Sequence, residues 1–73
     1  MSRAAVIGEP ARTAGFALAG ALVLAAENPD EARAAWSSLP ADVAVLVLTP
    51  HAAGWLGTAL QARHDVLVVV MPP

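Results

Sequence analysis

The sequence predicts an α/β fold, in which a small open sheet of four parallel strands carries helices on both faces. Short apolar runs alternate with segments of helical pattern, and these segments begin at Pro10, Pro29 and Pro50, as the first turn of a helix tolerates proline. Strands separated by helices form parallel sheets with right-handed crossovers, so the expected order is βαβαβαβ. At 73 residues the chain has room for one domain, which we place at residues 1–73.

The first two strands and the helix between them are predicted in the N-terminal third. Residues 3–7 form the first strand, and a helix follows from residue 10 to about residue 19. Gly20 supplies the stop at the C-terminus of this helix, and Gly15 is expected to let the helix approach the sheet closely. Residues 21–25 are the second strand, although Ala and Leu make its pattern the weakest of the four.

The clearest helix start is the sequence Asn28-Pro29-Asp30-Glu31. Asn28 can cap free backbone N–H groups, Glu31 lies at capping-box spacing, and both acidic residues favour the positive end of the helix dipole. Pro40 ends the helix. Four apolar residues share one face at helical spacing: Ala32, Ala35, Trp36 and Leu39.

The C-terminal half repeats the strand–helix pattern. Residues 43–48 are a nearly continuous apolar run, as expected of a strand covered on both faces. Thr49 and the following proline repeat the signal of a capped helix start, and the helix is predicted to reach about residue 63. The Val-rich residues 65–71 form the last strand, which Pro72 ends.

Composition excludes several kinds of site. The chain has no cysteine, which excludes disulfides and cysteine-ligated zinc, and two histidines give no reason to expect a metal site. The net charge is −2 and all four basic residues are arginine, a balance that argues against nucleic-acid binding. Neither G-x-G-x-x-G nor a phosphate-binding loop occurs. We therefore expect no cofactor and no metal.

A membrane segment is not the favoured interpretation of the apolar stretches. Residues 43–62 are uncharged and long enough to span a bilayer, but Thr49-Pro50-His51 interrupts them. A strand followed by a helix explains this stretch better than a re-entrant membrane segment. The apolar run near the N-terminus is too short for a signal peptide, so we expect a cytoplasmic protein.

Polar residues follow three of the predicted strands. In a parallel sheet of this kind, ligands bind at the carboxyl ends of the strands, where Glu9, Glu27 and His51 would lie on one edge. One interpretation is a small acid–base or metal cluster. The interpretation that we favour is that they are loop and helix-start residues, since they follow no spacing motif and a chain of this size offers little cover from water.

The three aromatic residues divide between core and surface. Phe16 and Trp36 are expected in the core beneath helices. Trp55 lies at the margin of the apolar stripe formed by Ala52 and Leu56, so it is either a half-buried core residue or part of a protein interface, where tryptophan is enriched.

Several motifs together resemble the F subunit of V-type and archaeal-type (V/A) ATP synthases. That family opens with V-I-G-[DE], then carries G-F-x-L-A-G, a [DN]-P-[ED]-E-A helix start, a strand ending in [LI]-T, and a last strand that ends at proline. The corresponding segments here cover nearly the whole chain in order: residues 6–9, 15–20, 28–32, 43–49 and 68–72.

The resemblance implies a non-catalytic subunit of the central rotor stalk. In that family the F subunit binds the coiled-coil D subunit and helps couple ATP turnover in the head to ion transport through the membrane ring, so the expected location is cytoplasmic and peripheral to the membrane. Family members usually continue past this proline with a C-terminal helical tail; this sequence ends at Pro73, so a role of that tail is not carried over. We expect the partner interface around Glu9, Thr49 and Trp55.

Two other hypotheses remain open. The chain could be a free-standing α/β interaction module that self-associates through sheet edges or apolar helix faces. It could also be a minimal enzyme or ligand-binding protein that uses Glu9, Glu27 and His51. The sequence ranks the stalk subunit first, the interaction module second and the minimal enzyme third.

Overall fold

The computed structural model of the protein describes residues 2–73 and confirms the α/β fold class. A single sheet of four parallel strands has the order β2-β1-β3-β4. Strands and helices alternate along the chain, and each new strand pairs with a strand that precedes it in the sequence. The elements are β1 (Arg3–Gly8), α1 (Pro10–Leu18), β2 (Leu22–Ala25), α2 (Pro29–Ser37), β3 (Val43–Leu48), α3 (Pro50–Leu56), a 3₁₀-helix (Gly57–Ala62) and β4 (Leu67–Val70).

The helix ends follow the predicted capping chemistry. The Asn28 side chain accepts a hydrogen bond from Glu31 N–H at 2.8 Å, and the Glu31 carboxylate accepts one from Glu27 N–H at 2.9 Å. At the end of α1, Gly20 adopts φ +86°, a left-handed conformation that favours glycine. It returns the chain to the sheet through the hydrogen bond from Ala21 N–H to Phe16 O.

The main core lies between the sheet and the pair formed by α2 and α3. Alternate residues of the two central strands point into it, and Ile7, Leu46 and Leu48 are fully buried. Trp36 of α2 and Leu56 of α3 close the other side. Burial of this apolar surface, at roughly 25 cal/mol per Å², is the main stabilising contribution. The predicted face of α2 is confirmed, because Ala32, Ala35, Trp36 and Leu39 are all buried.

The opposite face of the sheet is covered by α1 alone, which packs over β1 and β2. Val6 of β1 and Thr13 of α1 are both buried. Phe16, which was expected in the core, is only half-buried and lines a shallow groove with Val47. The rest of this face is open, because no helix of residues 2–73 follows β4 to cover it.

The helix predicted over residues 50–63 is wrong in its length. It ends as an α-helix at Leu56, where Gly57 adopts φ +51° and ψ −127°, and continues as the 3₁₀-helix. The expected apolar stripe survives this break, with Ala52 and Leu56 buried and Ala59 and Leu60 half-buried. None of the helices described in residues 2–73 has the length and hydrophobicity needed to cross a bilayer.

The role expected of Gly15 is also wrong. A Cβ atom at this position would meet no atom within 4 Å, so the glycine is not needed for helix–sheet packing. The close approach occurs instead at Gly8, the last residue of β1.

Candidate functional site

The carboxyl ends of β1 and β3 bring two separated parts of the sequence together. The central strands are hydrogen-bonded neighbours, with Ile7 opposite Leu48. Thr49 N–H continues this pairing by donating to Ile7 O at 3.2 Å. As a result, the residues that follow the two strands, Glu9 and Thr49, lie side by side although they are 40 positions apart.

Thr49 joins these two segments through its hydroxyl group. The hydroxyl donates to the Glu9 carboxylate and accepts from Ala52 N–H at 3.3 Å, which caps α3. The side chain is fully buried. Because its proton is committed to Glu9 and it has no exposure, Thr49 is a positioning residue and is not suited to act as a nucleophile.

Gly8 makes room for this arrangement. A Cβ atom at Gly8 would lie 2.2 Å from Thr49 Cγ2 and 2.7 Å from its hydroxyl oxygen. Both distances are far below normal van der Waals contact. Glycine is therefore required here by the close approach of the neighbouring side chain, and the pairs Gly8-Glu9 and Leu48-Thr49 form one packing unit.

His51 extends the cluster to Trp55. Its Nδ1 lies 2.9 Å from the second Glu9 carboxylate oxygen, and its ring stacks on Trp55 with centroids 5.8 Å apart and an interplanar angle of 18°. The spacing of four residues places both rings on one face of α3. We call these four residues the carboxyl-edge cluster: Glu9, Thr49, His51 and Trp55. The side chains of Glu9, His51 and Trp55 reach the surface, and that of Thr49 is buried beneath them.

The cluster keeps Glu9 ionised. The hydrogen bond from Thr49 is the largest cause that lowers the pKa of Glu9 to about 2, and the contact with His51 adds to it. A carboxylate that accepts such bonds is stabilised relative to its protonated form. The site therefore presents a fixed negative charge beside a half-buried aromatic ring.

Glu27 is not part of this cluster. It follows β2 at the same edge, but no hydrogen bond or ion pair within residues 2–73 joins its side chain to Glu9 or His51. The three residues proposed for an acid–base or metal site are thus not brought together. No group of three or more potential metal ligands occurs among the described residues.

Charge is distributed unequally between the two ends of the sheet. At the amino edge, acidic and basic residues neutralise each other: Arg3 pairs with Asp42 at 2.8 Å and Arg63 with Asp65 at 2.8 Å. The other acidic residues lie at or just beyond the carboxyl edge, together with Arg12 and Arg33. The formal net charge of −2 consequently belongs to the carboxyl edge.

All three predicted interface residues lie in one place, although they differ in exposure. Glu9 and Trp55 are half-buried at the surface, whereas Thr49 is beneath it. Sequence reasoning did not anticipate that His51 would connect Glu9 to Trp55, nor that Gly8 would be fixed by Thr49. The signal for both was present, because each residue lies within three positions of the end of a central strand.

The chain matches a known protein family over nearly its whole length. Residues 4–72 match the sequence model of the family described as ATP synthase (F/14-kDa) subunit. This match covers almost all of the described chain, including every residue of the carboxyl-edge cluster. No curated protein matches the chain.

Proposed function

Because the chain belongs to the ATP synthase (F/14-kDa) subunit family, we propose that it is a non-catalytic subunit of the central rotor stalk of a V/A-type ATP synthase. In this role it docks on the coiled-coil D subunit and helps couple ATP turnover to proton or sodium ion transport. It acts in the cytoplasm, peripheral to the membrane, as part of the assembled complex. The observation that carries the proposal is the family match over residues 4–72.

The structure supports a binding role through the way the family-like motifs meet. The Val-Ile-Gly-Glu segment and the strand ending in Leu-Thr are distant in sequence, but Gly8, Glu9 and Thr49 interlock at one edge. Their hydrogen bonds hold a carboxylate in a defined place without leaving a free nucleophile or an acid–base pair around a cavity. Such rigid placement of a charge suits recognition of a surface.

We place the docking surface on the carboxyl-edge cluster. Trp55 supplies a half-buried aromatic anchor of the kind that contributes strongly to binding, and Glu9 supplies a negative charge beside it. Thr49 contributes by orienting Glu9 and capping α3, since it is fully buried. The charge at this edge favours a partner helix that carries basic side chains near an apolar strip.

Sedimentation velocity tests the proposal on the chain alone and mixed with the coiled-coil stalk subunit of the same organism. The proposal predicts a one-to-one complex. It also predicts that the chain alone does not hydrolyse ATP. Absence of binding to the stalk subunit at micromolar concentrations would contradict the docking role. The hypothesis of a free-standing interaction module would then be favoured.

A further inference from the structure

One edge of the sheet has backbone groups without partners. Met71 N–H donates to Leu48 O at 2.8 Å, so the backbone groups of Met71, and of Val69 two residues before it, face β3. Alternate residues along a strand face opposite neighbours, and Val68 and Val70 therefore direct their N–H and C=O groups outward. Within residues 2–73, no backbone hydrogen bond reaches them from that side.

The β4 edge also lacks the features that keep edge strands apart. Its four residues are all apolar, with no charge, proline or bulge. Leu67, Val69 and Val70 expose 63%, 44% and 50% of their surface. The other edge strand, β2, is also apolar, but three of its four residues are half-buried, whereas three of the four in β4 are exposed. The more exposed edge is therefore β4.

We propose that β4 pairs with β4 of a second copy of this chain, so that two sheets join into one of eight strands. Two identical edges related by a two-fold axis must run antiparallel. Hydrogen-bonded pairing needs outward-facing residues opposite each other, so Val68 lies opposite Val70 of the second copy and Val69 lies on the axis. Each of the two pairs exchanges two N–H to C=O bonds.

Other registers leave outward-facing backbone groups of β4 without a suitable partner. Centring the pair on Val68 would require Val66, which lies in a bend before β4 and is buried in the core. Centring it on Val70 would place Val68 opposite Pro72, which has no N–H to donate. The register centred on Val69 is the one that satisfies the outward groups of β4 with residues of β4.

The pairing also covers apolar side chains. Leu67 and Val69 lie on the sheet face that α1 leaves open, since they pair with Val45 and Val47 of β3. In the dimer the two Val69 side chains meet across the axis, with Cα atoms about 4.5 Å apart in a non-hydrogen-bonded pair. Because four residues bury less than the roughly 1,200 Å² of a stable interface, we expect a weak dimer, with Kd above about 10 μM.

Cysteine cross-linking tests the register directly, because the natural chain has no cysteine. Val69→Cys places two thiols against each other on the axis. Leu18→Cys is the matched control, since Leu18 is 94% exposed but lies on α1. Under mild oxidation we expect disulfide-linked dimer to form at least about tenfold faster for Val69→Cys, because pairing raises the effective thiol concentration. Equal rates for the two variants would overturn the proposal.

Sedimentation equilibrium tests the association without a covalent bond. The natural chain and Leu18→Lys are expected to dimerise, whereas Val69→Lys, which sets two like charges on the axis, raises Kd by at least about tenfold. A natural chain that stays monomeric up to about 1 mM, a hundred times the lower limit set for Kd, would overturn the proposal. If Val69→Lys does not fold, hydrogen exchange of the backbone amides of the natural chain, measured at several protein concentrations, tests the dimer instead. Slower exchange at Val68 and Val70 with rising concentration supports the dimer, and unchanged exchange refutes it.

This inference does not rest on docking to the coiled-coil stalk subunit, because no residue of β4 belongs to the carboxyl-edge cluster. A chain that forms the dimer but no complex with the stalk subunit would refute the proposed function alone. Protection of Val68 and Val70 only when the stalk subunit is added would refute the dimer and assign the edge to that partner.

Discussion

Replacing Gly8 by alanine is expected to destabilise the protein strongly. The new Cβ would lie 2.2 Å from Thr49 Cγ2, 2.7 Å from its hydroxyl oxygen and 3.0 Å from its Cβ. Thr49 has little freedom to move away, because its hydroxyl bonds both Glu9 and Ala52 N–H and its own N–H bonds Ile7 O. Rotating the side chain would relieve the clash only by breaking the cap of α3.

The expected loss of stability has two contributions, the steric clash and the loss of the helix cap. Forcing an extra carbon into a packed site costs about 1–3 kcal/mol, and losing a threonine cap costs about 1 kcal/mol more. We therefore expect Gly8→Ala to lower the free energy of unfolding by about 2–4 kcal/mol. A chain of this size has a total of about 4–11 kcal/mol at 0.05–0.15 kcal/mol per residue, so the loss is a large fraction of it.

Urea denaturation followed by far-UV circular dichroism measures this change. Gly15→Ala is the matched control, because its Cβ meets no atom and alanine favours the exposed helix; it should raise stability by about 0.5–1 kcal/mol. Thr49→Ser in the Gly8→Ala background removes the atom at 2.2 Å while keeping the hydroxyl, and should restore part of the loss. If Gly8→Ala is as stable as the natural chain, the packing argument for the carboxyl edge is wrong.

Two further predictions concern polar groups. Glu9→Gln should lower the free energy of unfolding at pH 7 by about 1 kcal/mol. Folding lowers the pKa of Glu9 from 4.5 to about 2, so the stabilisation by the Glu9 carboxylate is present above pH 4.5 and is lost as the pH falls towards 2. Denaturation curves of both proteins between pH 7 and pH 2 check this, and a difference that does not change with pH would contradict it. Asn28→Ala should cost about 1 kcal/mol by removing the cap of α2, while Asn28→Asp should retain it; equal losses for both variants in thermal unfolding would show that the cap contributes little.

Much of the fold could be predicted because local chemistry and the global pattern agree. Each α-helix begins at a proline preceded by a residue in extended conformation, and two of these residues, Asn28 and Thr49, cap the helix with their side chains. The apolar run Val43–Leu48 forms the strand that its composition indicates, but Val45 and Val47, on the face that α1 leaves open, are only half-buried. These signals act over a few residues, so one sequence is enough to identify them.

Features that depend on distant contacts could not be predicted. Gly8 and Gly15 look equivalent in the sequence, but only the first lies against a side chain from another strand. Gly57 likewise looks like an ordinary position in an apolar helical pattern, and its positive φ breaks the helix there. The partial exposure of Phe16 follows from how little of one sheet face α1 covers, which no local pattern reports.

The edge at which Glu9, Glu27 and His51 lie could be predicted, but their hydrogen bonds could not. The rule that ligands meet the carboxyl ends of parallel strands placed these three residues at one edge, and in the structure they follow β1, β2 and β3. In the structure Thr49 is buried and bonds Glu9, whereas the backbone N–H of Glu27 bonds Glu31. Both features depend on the directions of side chains at the strand ends, which the sequence pattern does not report.

Isothermal titration of the chain with the coiled-coil stalk subunit of its organism tests the central claim most directly. The claim is that the chain docks through the carboxyl-edge cluster. It predicts that Trp55→Ala, shown to be folded by circular dichroism, raises Kd at least about tenfold, whereas Leu18→Ala, on the exposed side of α1, leaves Kd unchanged. Binding of the Trp55→Ala variant with the affinity of the natural chain, or no binding by the natural chain, would contradict it.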